Sequence, residues 1–172
     1  MDCCICLEPM NEYSPSVSLT TCCGNSYHRK CMNTSLSFKP ECPLCRQKVP
    51  GTKKQSLAYI RIHVKNNKPW AFCLIGIYYL RGWAGLTKSD RLAEAFFERG
   101  IYLGRCDQYM IREAKYELAR LLRFRKPFTQ ERTTRASNLM KEAAEAGHVR
   151  AKWVLDQNFS VFSPDGIESP LF

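Results

Sequence analysis

Seven of the eight cysteines in the first 45 residues, with the one histidine there, are spaced as metal ligands, in the order Cys3, Cys6, Cys22, Cys23, His28, Cys31, Cys42 and Cys45. Thiolate sulfur and imidazole nitrogen are preferred donors for zinc, and a structural zinc site is a closed tetrahedron of four. Eight donors therefore make two sites. Cys3/Cys6, His28/Cys31 and Cys42/Cys45 are each separated by two residues, a spacing that suits a turn aiming both side chains at one ion. The gaps of fifteen residues after Cys6 and ten after Cys31 are too short for separate domains, so both sites share one small module. Cys4 competes with Cys3 as a ligand, and the adjacent Cys22 and Cys23 form the least regular corner. The competing reading of a cysteine-rich stretch is a disulfide framework, which this spacing disfavours.

The segments around these residues resemble a RING finger. DCCICLEP, from Asp2, is similar to the opening of such fingers, CCGNSYHRKC, from Cys22, to their middle, and CPLCR, from Cys42, to their end. The resemblance implies a cross-brace: Cys3, Cys6, His28 and Cys31 on one zinc, and Cys22, Cys23, Cys42 and Cys45 on the other. Many RINGs place a histidine two residues after the third ligand. In the run Cys23-Gly24-Asn25 an asparagine stands there, so Cys22 and Cys23 are both expected to serve. Plant homeodomain fingers also carry seven cysteines with a histidine fifth. They resemble one another in a Trp two residues before the seventh ligand, where this chain has Pro40.

RING proteins are ubiquitin ligases, and the resemblance implies that activity. They form no covalent intermediate; they hold a ubiquitin-charged conjugating enzyme beside a substrate, so catalysis is proximity and orientation. By resemblance, Ile5 between the first ligands and Pro43 between the last would dock the conjugating enzyme. Arg46, after the final ligand, would take the catalytic role. Its planar guanidinium can bridge carbonyls on two partners, here enzyme and ubiquitin. The helix after Cys31 often carries a Trp four residues on. Ser35 occupies that place, which shifts the expected apolar grip to Leu36 and Phe38.

Residues 1–50 cannot bury enough apolar surface to fold by core alone. Zinc supplies the difference, on the order of 10 kcal/mol or more per structural site. Seven of the ten cysteines are thereby used, leaving Cys4, Cys73 and Cys106. Three spare thiols suit a reducing cytoplasm or nucleus. With a ligand at position 3, no secretory signal is expected. The longest apolar run, Trp70 to Leu80, is eleven residues, too short to span a bilayer.

After Gly51 the cysteines thin out and helical periodicity begins. Helices are predicted over 55–66, 69–80, 90–102, 109–124, 130–146 and 148–158. Capping groups lie at Thr87 to Asp90, Pro69 opens a first turn, and Gly147 takes a C-terminal cap position. An internal repeat appears at an offset of 43 residues. Ala71 falls on Ala114, Ile75 on Leu118, Gly76 on Ala119, Ala93 on Ala136, Phe97 on Met140, Gly100 on Ala143 and Gly104 on Gly147. The runs Ala71-x3-Ile75-Gly76-x2-Tyr79-x2-Gly82 and Arg135-Ala136-x2-Leu139-x3-Ala143-Ala144-x2-Gly147 resemble Sel-one-like repeats, short relatives of tetratricopeptide repeats. Such repeats stabilise one another by stacking and leave a concave face for partners. An ordinary helical bundle is the alternative. Trp70, Trp83 and Trp153 are expected in the helical core, and His63 and His148 have no ligand or catalytic neighbourhood in the sequence.

The chain carries a formal charge of +10, with 21 of its 26 Lys and Arg beyond residue 50. Arg120, Arg123, Arg125 and Lys126 are the densest patch. They suit an acidic partner or nucleic acid, or complement a helix C-terminus. No nucleic-acid reading motif accompanies them, which disfavours that partner. No nucleophile with its base, phosphate-binding glycine loop or carboxylate pair stands out. The expected architecture is a small zinc-stabilised RING module (α+β, cross-brace) over 1–50, an all-α helical-repeat solenoid over 51–158 and a tail over 159–172. The expected function is a RING-type ubiquitin ligase with two zinc ions, partnered by a conjugating enzyme and ubiquitin. Its repeats would recruit a substrate or adaptor, with no membrane involved. The alternative is a non-catalytic zinc scaffold.

Overall fold

The computed structural model of the chain describes residues 2–10, 17–104 and 109–157. Cys106 and the tail expected from 159 lie outside them. The chain forms two compact units, Met1–Ile111 and Arg112–Phe172.

In the first unit, strands β1 (Val17–Leu19) and β2 (Ser26–His28) pair antiparallel, with Val17 opposite His28 and Leu19 opposite Ser26. Helix α1 (Arg29–Phe38) follows β2 without a loop, and His28 is its N-cap residue. The two-residue gap between His28 and Cys31 thus joins a strand end to the first turn of a helix.

Three helices complete this unit: α2 (Lys53–Lys65), α3 (Pro69–Arg81) and α4 (Asp90–Leu103). The Thr52 hydroxyl accepts the Gln55 N–H at 3.2 Å, and Ser89 accepts the Leu92 N–H at 3.2 Å. Both satisfy amides that a helix start leaves open. Leu57 and Ile60 of α2 bury against Ala71, Ile75 and Tyr78 of α3. Between α3 and α4 small residues face large ones. A Cβ placed on Gly76 would lie 2.6 Å from Phe97 Cε1, and one on Gly100 would lie 2.5 Å from Cys73 Sγ. Tyr79 stacks on Phe96 with ring centroids 5.5 Å apart. Gly82, at φ 65°, ends α3, and a short 3-10 turn at Trp83–Gly85 follows that the sequence did not announce.

The second unit contains most of α5 (Tyr109–Phe124), together with α6 (Gln130–Glu145) and α7 (Val149–Asp156). Ala114, Ala119, Ala136, Ala143 and Ala151 are all fully buried, so the small positions of the sequence repeat are interior positions. Gly147 stands at φ 88° after α6, as its cap role requires. His148 is neither exposed nor idle. Its Nδ1 accepts the Ala151 N–H at 3.1 Å, capping α7, and its Nε2 donates to Glu113 at 2.9 Å. Arg150 also donates to Glu113, at 2.8 Å, and Tyr116 stacks on the imidazole.

The tryptophans depart from the core expectation. Trp83 is 38% exposed, edge-on to Tyr78 and under the Lys53 ammonium, and Trp153 is 45% exposed. Trp70 is half-buried, for a reason found in the zinc module. No helix among the described residues is long and apolar enough to cross a membrane.

Candidate metal centre

Three backbone turns of one design build the site. In the first, the Leu7 N–H donates to Cys3 O at 2.8 Å and the Cys3 N–H to Glu8 O at 2.9 Å. In the last, the Arg46 N–H donates to Cys42 O at 2.8 Å and the Cys42 N–H to Gln47 O at 2.8 Å. The middle turn repeats both bonds at 2.9 Å, from Gly24 to Thr20 and from Thr20 to Asn25. The fifth residue of each turn, Leu7, Arg46 or Gly24, is left-handed, with φ of 62°, 59° and 76°. That conformation costs an L-residue roughly 1–2 kcal/mol, which Leu7 and Arg46 bear and Gly24 avoids.

In the outer turns the first and fourth residues are the ligand pair. In the middle turn the first residue is Thr20, and Cys22 fills the interior position that Ile5 and Leu44 occupy in the others. Thr20 Oγ1 accepts the Asn25 N–H at 3.0 Å and lies 3.1 Å from Cys23 Sγ. Asn25 Nδ2 donates to the same sulfur at 3.3 Å. The residue in place of the usual histidine therefore supports a ligand instead of being one.

The donor atoms converge in two sets, Cys3, Cys6, His28 and Cys31, and Cys22, Cys23, Cys42 and Cys45, each within 4.8 Å. Cys23 and Cys42 sulfurs are 3.8 Å apart, and His28 Nδ1 is 3.4 Å from Cys6 Sγ and 3.8 Å from Cys31 Sγ. Zinc bonds of about 2.3 Å to sulfur and 2.0–2.1 Å to nitrogen, set tetrahedrally, require edges of about 3.5–3.8 Å. The donor sets fit two zinc ions, bound in closed sites. Cys4 stands outside both. Burial, then the neighbouring Cys3 charge, pushes its thiol up to about 11.

Two ligands, Cys3 and Cys23, are prepared for deprotonation before any metal charge is counted. Burial alone would raise the Cys3 thiol, but hydrogen bonds from the Cys6, His28 and Ile5 backbone bring it down to about 6. Burial likewise opposes Cys23, and Thr20 and Asn25 bring it down to about 7. Cys22 is pushed up, by burial and then by hydrogen bonds to Cys45 and Cys42; metal charge must ionise it.

The family model of the ring finger domain matches residues 1–46. With the two ligand clusters it defines the N-terminal module as a RING-type zinc finger carrying two zinc ions, followed by a mostly helical region. No curated protein and no solved structure matches the chain.

The other singled-out residues sit as follows. Ile5 is half-buried and lines an open groove with Lys30, Cys31, Thr34 and Ser35. Leu36 is half-buried on α1, and Phe38 at its end is 83% exposed. Pro43, Leu44 and Arg46 are exposed on the last turn. The middle turn faces inward. His63 Nε2 of α2 donates to the carbonyl of Cys22 at 2.7 Å. The Trp70 indole of α3 occupies the place where a Cβ on Gly24 would stand, and tilts against His63 with centroids 4.8 Å apart. Neither residue lies at ligand spacing from the eight donors, so no local motif could have pointed to them.

Proposed function

We propose that the protein is a RING-type ubiquitin ligase in which Ile5, Leu36 and Pro43 engage a conjugating enzyme and Arg46 orients its bound ubiquitin. The observation that carries this reading is the ring finger match over two complete zinc clusters, beside a face on which Pro43 and Arg46 stay exposed. Closed tetrahedra offer no open position for Lewis-acid chemistry. The module's contribution is then a rigid platform that raises the effective concentration of thioester and lysine. Arg46 donates from a fixed turn, its backbone locked by the bond to Cys42.

In the same proposal, residues 1–50 are the ligase module, 51–158 form Sel-one-like repeats arranged as a solenoid, and 159–172 are a tail. The recurrence of buried small residues in the pairs α3/α4 and α5/α6 supports the repeat reading. The repeats would recruit the substrate or adaptor, in the cytoplasm or nucleus.

The test is single-turnover discharge of ubiquitin-loaded conjugating enzymes onto free lysine. The wild type should accelerate discharge with at least one enzyme of a broad panel. Ile5→Ala should weaken binding of that enzyme. Arg46→Ala should retain binding and slow discharge. Acceleration with no enzyme would sink the ligase reading. It would favour a non-catalytic scaffold, to which Ser35 gives some support by leaving the Ile5 groove without an aromatic grip.

A further inference from the structure

Helices α2 to α4 do not follow the RING as beads on a string. Pro50 is half-buried, the Gly51 N–H donates to Gln55 Oε1 at 2.9 Å, and Thr52 already caps α2. A short ordered connection of this kind fixes one point of contact. The second point is the middle zinc turn, whose backbone is covered from the helical side.

We infer that His63 and Trp70 are a latch joining the all-thiolate zinc site to helices α2 and α3, so that this site and these helices open together. Three features carry it. First, the Cys22 carbonyl, belonging to a ligand, accepts from His63 at 2.7 Å. A carbonyl only accepts, so Nε2 holds the hydrogen. His63 Nδ1 is then buried with no hydrogen-bond partner among the described residues. Second, Trp70 lies on Gly24 so closely that no side chain fits there, and Gly24 stands at φ 76°. Both the space and the conformation select glycine. Third, Trp70 packs on the cluster of Leu57, Ile60, Ala71, Ile75 and Tyr78. The path from ligand backbone to helix core is continuous. The outer turns instead present Leu7, Pro43, Leu44 and Arg46 to solvent.

The latch turns the middle zinc turn into an anchor and leaves the outer two free. It holds Ile5, Pro43 and Arg46 at a fixed offset from α2 to α4. That last consequence rests on the ligase reading; the latch itself does not.

The test uses the full chain loaded with cobalt(II). A four-thiolate site and a three-thiolate, one-imidazole site absorb at different wavelengths, so metal loss to a chelator can be followed at each. His63→Ala, Trp70→Ala and Gly24→Ala should each speed loss from the all-thiolate site by about 10–100-fold, as removing partners behind metal ligands does. The mixed site should lose metal at the wild-type rate. Coupling is reciprocal, so emptying the all-thiolate site should speed amide hydrogen exchange across α2 and α3. Unchanged loss from the all-thiolate site in His63→Ala and Gly24→Ala would overturn the latch, and equal acceleration at both sites would overturn its selectivity. Trp70→Ala removes core contacts and Gly24→Ala presses on the same indole, whereas His63 lies outside the core cluster, so His63→Ala decides the test even where the other variants misfold. No readout involves ubiquitin, so a chain inactive in the discharge assay still decides the matter.

Discussion

Gly76→Leu tests the close approach of α3 and α4. A Cβ at position 76 meets Phe97 Cε1 at 2.6 Å, Phe97 Cδ1 at 2.7 Å and the Ala93 carbonyl at 3.3 Å. Phe97 is fully buried, and the Ala93 oxygen is backbone, so neither neighbour can swing into solvent. Leucine adds three further carbons along the same line. Overpacking of a well-filled core costs typically 1–3 kcal/mol, and this geometry sits at the upper end. Replacing a helical glycine returns about 0.8–1.0 kcal/mol of backbone propensity. The net is a destabilisation of about 2 kcal/mol, or a fall in Tm of about 4–8 °C for a chain of this size. Calorimetry on the zinc-loaded chain should read it. A double-mutant cycle with Phe97→Ala gives the stricter test. Phe97→Ala alone should cost about 3–5 kcal/mol, and the double variant should recover about 1–2 kcal/mol relative to the sum. A Gly76→Leu chain that melts no lower than wild type, or a cycle that adds to within about 0.5 kcal/mol, would refute the small-into-large packing.

Elemental analysis should find two zinc ions per chain, and Cys42→Ser should leave one, with α5 to α7 still helical by site-resolved hydrogen exchange. A folded wild-type chain with a single zinc would contradict the eight-ligand assignment. Glu113→Gln should destabilise the second unit by about 1–2 kcal/mol at neutral pH, because it removes a charged acceptor shared by His148 and Arg150. Burial opposes ionisation of Glu113, but the hydrogen bond from His148 and the charges of Arg150 and Arg112 hold its carboxyl below the usual 4.5. Its folded pKa is thus depressed. Its contribution is present above about pH 4.5 and lost as pH falls through the lower folded value. The gap between wild type and variant should therefore close on acidification, and a gap constant down to the lowest pH would refute it. In the discharge assay, Arg46→Ala should slow ubiquitin transfer while Ile5→Ala weakens enzyme binding, both with two zinc ions retained. Equal discharge by Arg46→Ala and wild type would remove the role given to Arg46.

Much of the site was legible because metal chemistry is local and typed. Donor residues at short spacing need only a turn to meet, so the eight ligands could be named from the chain alone. The pairing into two sets needed a resemblance, and the sulfur and nitrogen edges bear it out. The choice of Cys3 over Cys4 was left open, since adjacent residues differ only in which way a turn aims them. The helix positions were legible from periodicity and caps: Ser89, Pro69 and Gly147 do what their types allow. The 3-10 turn at Trp83–Gly85 was not, because Ala84 takes a left-handed φ of 60° that its type does not advertise.

By itself the sequence determined the cofactor chemistry, the ligands up to the choice between Cys3 and Cys4, the helix positions to within a few residues and the alternation of small and large residues. Each depends on residue type and near-neighbour spacing. Tertiary structure alone decided that Thr20 and Asn25 steady a zinc thiolate, that His148 caps a helix while holding Glu113, and that Trp70 and His63 grip the backbone of the Cys22–Gly24 turn. The last contact joins residues more than forty positions apart through a carbonyl and a glycine's missing side chain. Neither leaves a mark in the pattern of side-chain types, because the backbone is the same at every residue and its exposure is settled only by what packs against it.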